Sequence, residues 1–363
     1  MISFSPTEEQ KMIVNTVKQF ATDFMRKKFR ECDEEGNVPA EIIDAAWELG
    51  LVISCIPEEM GGAGWEHSAV TGTLLAEELA WGDLAMAMNI LAPSLAVLPI
   101  VEMGTDEQKK KYLPALCGSK FSPATAAFIE PRYNFDPAGF ATTAKKNGGY
   151  TLNGAKCYVP LAAEAGYTLV YAREGQSNQC FIVDKGTNGF TTGEREKLMG
   201  VRALSTYPLS LKDCKIPAGN KLGGEKGCDF SRLVNLSRVG VSAMAIGVAR
   251  GALEFARDYA RDRHTFGEPI GSRQSIAFML AEMAMEIDGA RLMNWEAAWK
   301  LDRKEDATHE ASLAEMYAAD MVMLATDYAV QIMGGHGYVR DNPVELWFRN
   351  GRGFSTFTGM AIV

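Results

Sequence analysis

From Phe230 onward the sequence carries three long stretches of helical periodicity, and these constrain the fold more than any other feature. "RVGVSAMAIGVARGALEFARDYARDR", "SRQSIAFMLAEMAMEIDGARLMNWEAAWKLD" and "HEASLAEMYAADMVMLATDYAVQIMGG" each place small and apolar residues on a broad face. Helices of that length and pattern bury such faces against one another, and three in succession predict an antiparallel bundle. The first third is also helical. "SPTEEQKMIVNTVKQFATDFMRKKF" carries a helix start at Ser5 or Thr7. "PAEIIDAAWELG" opens at Pro39 and stops at Gly50. "SAVTGTLLAEELAWGD" and "MAMNILAPSLAVLPIVEMG" predict buried helices, and "TDEQKKKYLPALCGS" a capped, exposed one.

Between these regions the texture changes. "GGYTLNGAKCYVPLA", "GYTLVYARE", "NQCFIVDKGTNGFTTGE" and "YPLSLKDCKIP" are short β-prone runs parted by Gly, Asn and Asp turns. The expected class is mainly α with a middle β domain. The expected parts are an N-terminal helical domain over 1–121, a β domain over 122–229 and a C-terminal helical bundle over 230–363.

Bulk properties narrow the function. A net charge of −9 argues against a general nucleic-acid or membrane-surface binder. Seven Cys without a CxxC pair read as reduced cytoplasmic thiols, with neither a disulfide framework nor a zinc site. His67, His264, His309 and His336 stand far apart, so no metal site is expected. "MISFSPTEEQKMIVNTV" is an amphipathic helix start without the basic and apolar regions of a signal peptide. No stretch is expected to insert in a bilayer, and the expected location is cytoplasmic.

The most specific motifs lie in the bundle. "RDRHTFGEPIGSRQSIAFMLAEMAMEIDGAR" joins two long helices through a Gly/Pro loop, and "AVQIMGGHGYVRDNPVELWFR" follows it. A GGxG alone reads as a capped helix end and a turn. Together with "PEEMGGAGW", "EELAWGD", "GTDEQKKKYLPAL", "GGYTLNGAKCYV" and "KLMGVRALSTYPLSLKDCKIP", in this order, the pattern resembles the acyl-CoA dehydrogenase family over essentially the whole chain. The resemblance implies helices, then a β-barrel-like domain, then a four-helix bundle. It also implies an oxidoreductase of acyl-CoA metabolism, usually a tetramer. FAD would lie at subunit contacts, and an electron-transferring flavoprotein would accept the electrons.

The chemistry states what such a site needs. A thioester acidifies its α C–H; a carboxylate removes that proton while hydride leaves the β carbon for flavin N5. By resemblance, Arg263, Thr265, Phe266 and Gln274, with Gln331, Gly334, Gly335 and Gly337, hold the adenosine and pyrophosphate of a neighbour's FAD. The arginine supplies charge and the glycines let backbone N–H groups approach. Arg238, with Asn235 where many members carry Asp, matches an arginine used near CoA. The flavin-ring wall departs from the family pattern. "IEPRYNFD" replaces a loop close to T-E-P-G-A-G-S-D, bringing in Ile129, Arg132, Tyr133 and Phe135. Tyr158 and Pro160 of "YVP" replace W-I-T, and Pro160 has neither hydroxyl nor N–H to offer.

The base position departs too. "GFSTFTGMA" aligns Thr358 with the family's usual glutamate, and the alternative position used by some relatives is Ser237. Neither hydroxyl is a useful base at neutral pH. The family's last helix would lie beyond Val363. Three readings stay open. One is an FAD enzyme with a relocated base, for which Asp83 in "AWGDLAMAMN" is the candidate, acting on an unusual, cyclic or unsaturated acyl-CoA. A second is a non-catalytic partner subunit of a heterotetramer with a related chain, in place of a homotetramer. The third is an acyl-CoA-binding non-redox protein.

Overall fold

The computed structural model describes residues 4–363; Met1–Ser3 of the N-terminal helix-start stretch lie outside the described residues. Thr7, rather than Ser5, caps the first helix, α1 (Glu8–Phe20). Its hydroxyl accepts the Gln10 N–H at 3.2 Å while the Gln10 side chain accepts the Thr7 N–H at 2.9 Å. A π-helical turn, Ala21–Met25, leads into α2 (Arg26–Glu35). Then come α3 (Ala40–Glu48), α4 (Ala69–Gly82), α5 (Leu84–Leu91), α6 (Ser94–Met103) and α7 (Asp106–Tyr112). Every residue of α5 is buried, including Asn89, whose side-chain amide donates to the Ala85 carbonyl at 2.9 Å and the Ala203 carbonyl at 3.2 Å.

Among the described residues, two segments could by length and composition cross a membrane, contrary to the expectation that none could: Leu84–Met103, mean hydropathy 2.0, and Phe230–Asp262, mean hydropathy 1.4. The fold gives the physical reason for their apolarity. In the two apolar windows 89% and 78% of the residues, respectively, are buried inside the protein, so these are core helices.

The middle of the chain forms a mixed seven-stranded sheet. Its strands are β1 (Thr125–Ala127), β2 (Thr143–Lys146), β3 (Tyr150–Pro160), β4 (Tyr167–Glu174), β5 (Ser177–Asp184), β6 (Phe190–Thr192) and β7 (Thr206–Ile216). The order is β1-β4-β2-β3-β7-β6, with β5 paired to β4. The long β3 and β7 pair antiparallel, from Tyr150 opposite Ile216 to Pro160 opposite Thr206. The register slips between Lys156 and Val159. That bulge re-aims the local side chains.

The C-terminal part holds α8 (Phe230–Asp262), a short hairpin β8 (His264–Thr265) and β9 (Glu268–Pro269), then α9 (Gln274–Asp302) and α10 (Thr308–Met333). Two short helices, α11 (Gly335–Tyr338) and α12 (Val344–Gly351), follow. The three long helices pack on one another, and α4 lies along α8. Small residues on α8 make that approach possible: a Cβ at Gly247 would sit 2.3 Å from the Glu77 carbonyl oxygen of α4. The same contact is tied by charge. Arg250 donates to Glu77 at 2.9 Å and to Glu78 at 2.7 Å, and Arg291 of α9 donates to Glu77 at 3.0 Å. At the other end of α9, Asp302 caps α4, accepting the Ala69 N–H at 2.5 Å and the Ser68 hydroxyl at 2.8 Å. The N-terminal helices and the bundle thus share one core, which holds the middle of α8 rigidly in place.

Candidate active site

The C-terminal segment after α12 is folded back onto the core. Phe357, Gly359, Met360, Ala361, Ile362 and Val363 are all buried. Gly359 has φ 86°, and a Cβ there would sit 2.3 Å from the Phe128 ring. Only glycine fits both the left-handed backbone and that contact. The turn is pinned to α8 by the Gly359 N–H, which donates to Ser237 Oγ at 2.7 Å. Thr358 and Ser237, the positions that the resemblance assigns to the usual and the alternative base, therefore lie at neighbouring points of this turn.

A carboxylate stands beside them that the motifs did not single out. The Thr358 hydroxyl donates to Glu315 Oε1 on α10. Arg238 Nε donates to the other oxygen, Oε2, at 3.1 Å. Arg238 Nη1 also donates to Ser312 Oγ at 2.8 Å and lies 3.4 Å from Asn235 Oδ1. The Asn235 amide in turn donates to Thr308 Oγ1 at 3.0 Å. Asn235, Ser237, Arg238, Ser312, Glu315 and Thr358 form one polar cluster. A signal for it exists in the sequence: Thr308, Ser312 and Glu315 recur at the spacing of one helix face, amid alanines. Arg238 and Glu315 each keep about a fifth of the side chain open, 21% and 18%, so the cluster is reachable from solvent.

Asp83 lies elsewhere. It is buried, and it caps α5 by accepting the Met86 N–H at 2.9 Å. Burial pushes its carboxyl up to about 6, against the opposing pull of the Met86 N–H and the Arg26 charge. Along α8, Gly240 faces Ile362 and Val363, while Gly247 faces Trp81, two residues before Asp83. Seven residues of helix separate those levels, about 10 Å. The structure does not bring Asp83 into the Thr358 cluster.

The wall that would face a flavin ring combines β3 with the C-terminal turn. The bulge leaves Tyr158 half-exposed at φ 55°, its N–H donating to Glu196 Oε2 at 2.9 Å. Tyr158 lines a cavity of about 170 Å³ with Leu198, Val201, Gly353, Phe357 and Met360. Pro160 pairs with Thr206 inside the sheet.

The large residues of "IEPRYNFD" do not fill this space. Phe135 packs edge-on against Phe128, with ring centroids 5.8 Å apart, and also against Phe140. Arg132 turns onto its own loop and donates to the Gly139 carbonyl at 2.8 Å. Tyr133 points wholly into solvent. Buried Glu130 closes the loop, accepting the Ala141 and Thr142 N–H groups, each at 2.8 Å, and facing buried Lys156 at 3.2 Å. Burial works to raise the Glu130 carboxyl, but the Lys156 charge and these donors outweigh it and hold it low. Burial drives the Lys156 amine down to about 7 against the opposing pull of Glu130.

The groups expected to hold adenosine and pyrophosphate gather at the far end of α8. Arg263 ends that helix, exposed, with its N–H on the Tyr259 carbonyl at 2.8 Å. Tyr259 Oη lies 3.3 Å from His336 Nδ1, between Gly335 and Gly337, so the end of α8 and the glycine turn are neighbours. Gly334 has φ 57° and ψ −132°, open to glycine alone. Thr265 is half-buried in the hairpin, while Phe266 is 99% exposed at φ 54°. Gln274, Gln331, Gly334 and Gly335 are exposed as well. A cationic side chain beside accessible backbone and an uncovered aromatic ring suits a dinucleotide's anionic and planar parts.

The comparisons with known proteins agree in extent. The acyl-CoA dehydrogenase N-terminal domain matches residues 7–120, the middle domain 125–214 and the C-terminal domain 230–361. The Caffeyl-CoA reductase-Etf complex subunit CarC of Acetobacterium woodii is 35% identical, covering 98% of this chain and 96% of the relative. The short-chain specific acyl-CoA dehydrogenase of Megasphaera elsdenii is also 35% identical, over 97% and 94% of the two chains. The solved butyryl-CoA dehydrogenase of the same organism superposes with a TM-score of 0.89 at 33% identity, covering 99% of this chain and 96% of that one. The chain belongs to the acyl-CoA dehydrogenase family.

Proposed function

We propose that this protein is an FAD-dependent oxidoreductase of an acyl-CoA thioester in which the proton-transferring carboxylate has moved away from position 358. The observation that carries this reading is the intact seat of the base. The C-terminal turn is buried and pinned to Ser237, and Phe357 shares a cavity with Tyr158. A chain that had abandoned the chemistry would have no need to keep this turn in place. When bound, FAD accepts the hydride that leaves the β carbon. Arg263, Thr265, Phe266, Gln274, Gln331, Gly334 and Gly335 hold its adenosine and pyrophosphate half for a neighbouring protomer, and Tyr158 borders its ring. Arg238 and Asn235 bind the substrate near its CoA moiety. A carboxylate that takes the α proton in oxidation returns it in reduction, so the site serves either direction. The substrate is an acyl-CoA outside the ordinary straight-chain set, and an electron-transferring flavoprotein exchanges electrons with the protein; the Acetobacterium relative is named as a subunit of a complex with Etf.

The test is a visible spectrum of the purified protein, before and after anaerobic addition of saturated, cyclic and unsaturated acyl-CoAs. Stoichiometric flavin that bleaches with at least one thioester is the expected result. Little flavin in the homomer would favour a partner subunit of a heteromeric enzyme. Thioester binding without bleaching would favour a non-redox acyl-CoA-binding protein.

A further inference from the structure

We infer that Glu315 is the group that exchanges the α proton, with Thr358 as its positioning residue; this rests on the acyl-CoA reading above. Three observations converge. Thr358 stands at the position by which a base reaches the α carbon, and its side chain is too short and too weakly basic to serve. Its hydroxyl is bonded to Glu315 Oε1, so a carboxylate oxygen lies one hydrogen bond from that position. Arg238, matched by resemblance to an arginine near CoA, holds the second oxygen at 3.1 Å. Asp83 is committed to its helix cap, and Glu130 to the N–H groups of Ala141 and Thr142 and to Lys156. Glu315 has neither commitment: both of its partners are members of the cluster itself.

The step balances within the thioester and this chain. The α C–H bond breaks, its proton forms an O–H bond on Glu315 Oε1, and the electron pair stays on the substrate, delocalised into the thioester carbonyl. The Thr358 hydroxyl must turn away from Oε1 to admit that proton. Arg238 keeps Oε2 fixed throughout, so the carboxylate does not rotate out of reach.

The test reads proton exchange separately from hydride transfer. The holoprotein is incubated in deuterium oxide with a 3-thia-acyl-CoA, whose β sulfur excludes hydride departure, and α-deuterium uptake is followed by mass spectrometry. E315Q should lower the exchange rate about 100-fold or more, within the usual range for a general base. E315D should recover part of it, and thioester affinity should change only a few-fold. T358V should slow exchange about 10-fold, since Oε1 loses the hydroxyl that fixes it, and T358S, which keeps that hydroxyl, should restore most of the rate. Exchange in E315Q at the unaltered rate overturns the assignment and leaves the acyl-CoA reading standing. Absence of exchange in the unaltered protein, together with unbleached flavin, overturns both. E315D as inactive as E315Q, or T358S as slow as T358V, overturns the positioning geometry.

Discussion

At the scale of single residues, chemistry and stability pull on Asp83 in opposite directions. The sequence offers it as a substitute base because it sits near an acyl-lining segment. The fold uses it as a cap, accepting the Met86 N–H from a buried position. Burial raises its carboxyl from 3.8 to about 6. The folded chain therefore binds this proton more tightly than the unfolded chain does. The stabilisation it brings is complete below pH 3.8 and is lost as pH rises through about 6. Asp83→Asn keeps an acceptor for the Met86 N–H and removes the buried charge. We expect its stability relative to the parent, measured by denaturant unfolding, to improve between pH 4.5 and 7.5 by about 1–3 kcal/mol. Flavin bleaching by acyl-CoA should be retained; its loss in a well-folded variant would return Asp83 to the role of base. The absence of a carboxylate at Thr358 is legible in the sequence because it needs only position. Glu315 is legible only as one member of a polar helix face; its meeting with Thr358 is not, because it comes about through the packing of the C-terminal turn on α10.

At the scale of elements, the helices were legible and the sheet only as a set of strands. Capping at Thr7 and Thr105, and the apolar faces of α8 to α10, are local facts that a sequence displays directly. The strand order β1-β4-β2-β3-β7-β6 joins residues far apart in sequence, and β-prone runs do not encode such partners. The apolar segments Leu84–Met103, over α5 and α6, and α8 also show why hydropathy alone misleads: helices buried inside the protein satisfy the same test as membrane spans. The C-terminal turn is the element on which the site depends, and Gly359 is its weak point. Gly359→Ala puts a methyl group against the Phe128 ring and an L side chain at φ 86°. The combined strain and overpacking should cost about 2–4 kcal/mol. Denaturant unfolding would measure it. A cost below about 0.5 kcal/mol, within the range of unremarkable surface changes, would mean that the turn is not held as tightly as this packing requires.

At the scale of the whole molecule, the exposed surface is uneven in a way that bears on assembly. Phe278, Met285 and Leu292 recur every seven residues on the open face of α9, and Leu313 and Met316 are exposed on α10. A stripe of this kind on long helices is a surface for another helix face. On the same chain Arg263, Phe266 and the Gly334–Gly335 turn stand uncovered, as groups that reach a neighbour's cofactor would in an isolated protomer. The two observations make one prediction. A double variant, Met285→Glu with Leu292→Glu, places charge in the stripe without touching any residue of the proposed flavin or thioester sites. We expect light scattering to show an oligomer for the parent chain and dissociation toward the single chain for the variant. Because each flavin would be gripped by two protomers, the same variant should also lose most of its bound flavin, read as absorbance near 450 nm per polypeptide. Helix content should be unchanged, since neither side chain belongs to the core of its own protomer. Flavin retained at full stoichiometry by a dissociated chain would separate cofactor binding from assembly, and would place the Arg263 group in service of its own protomer.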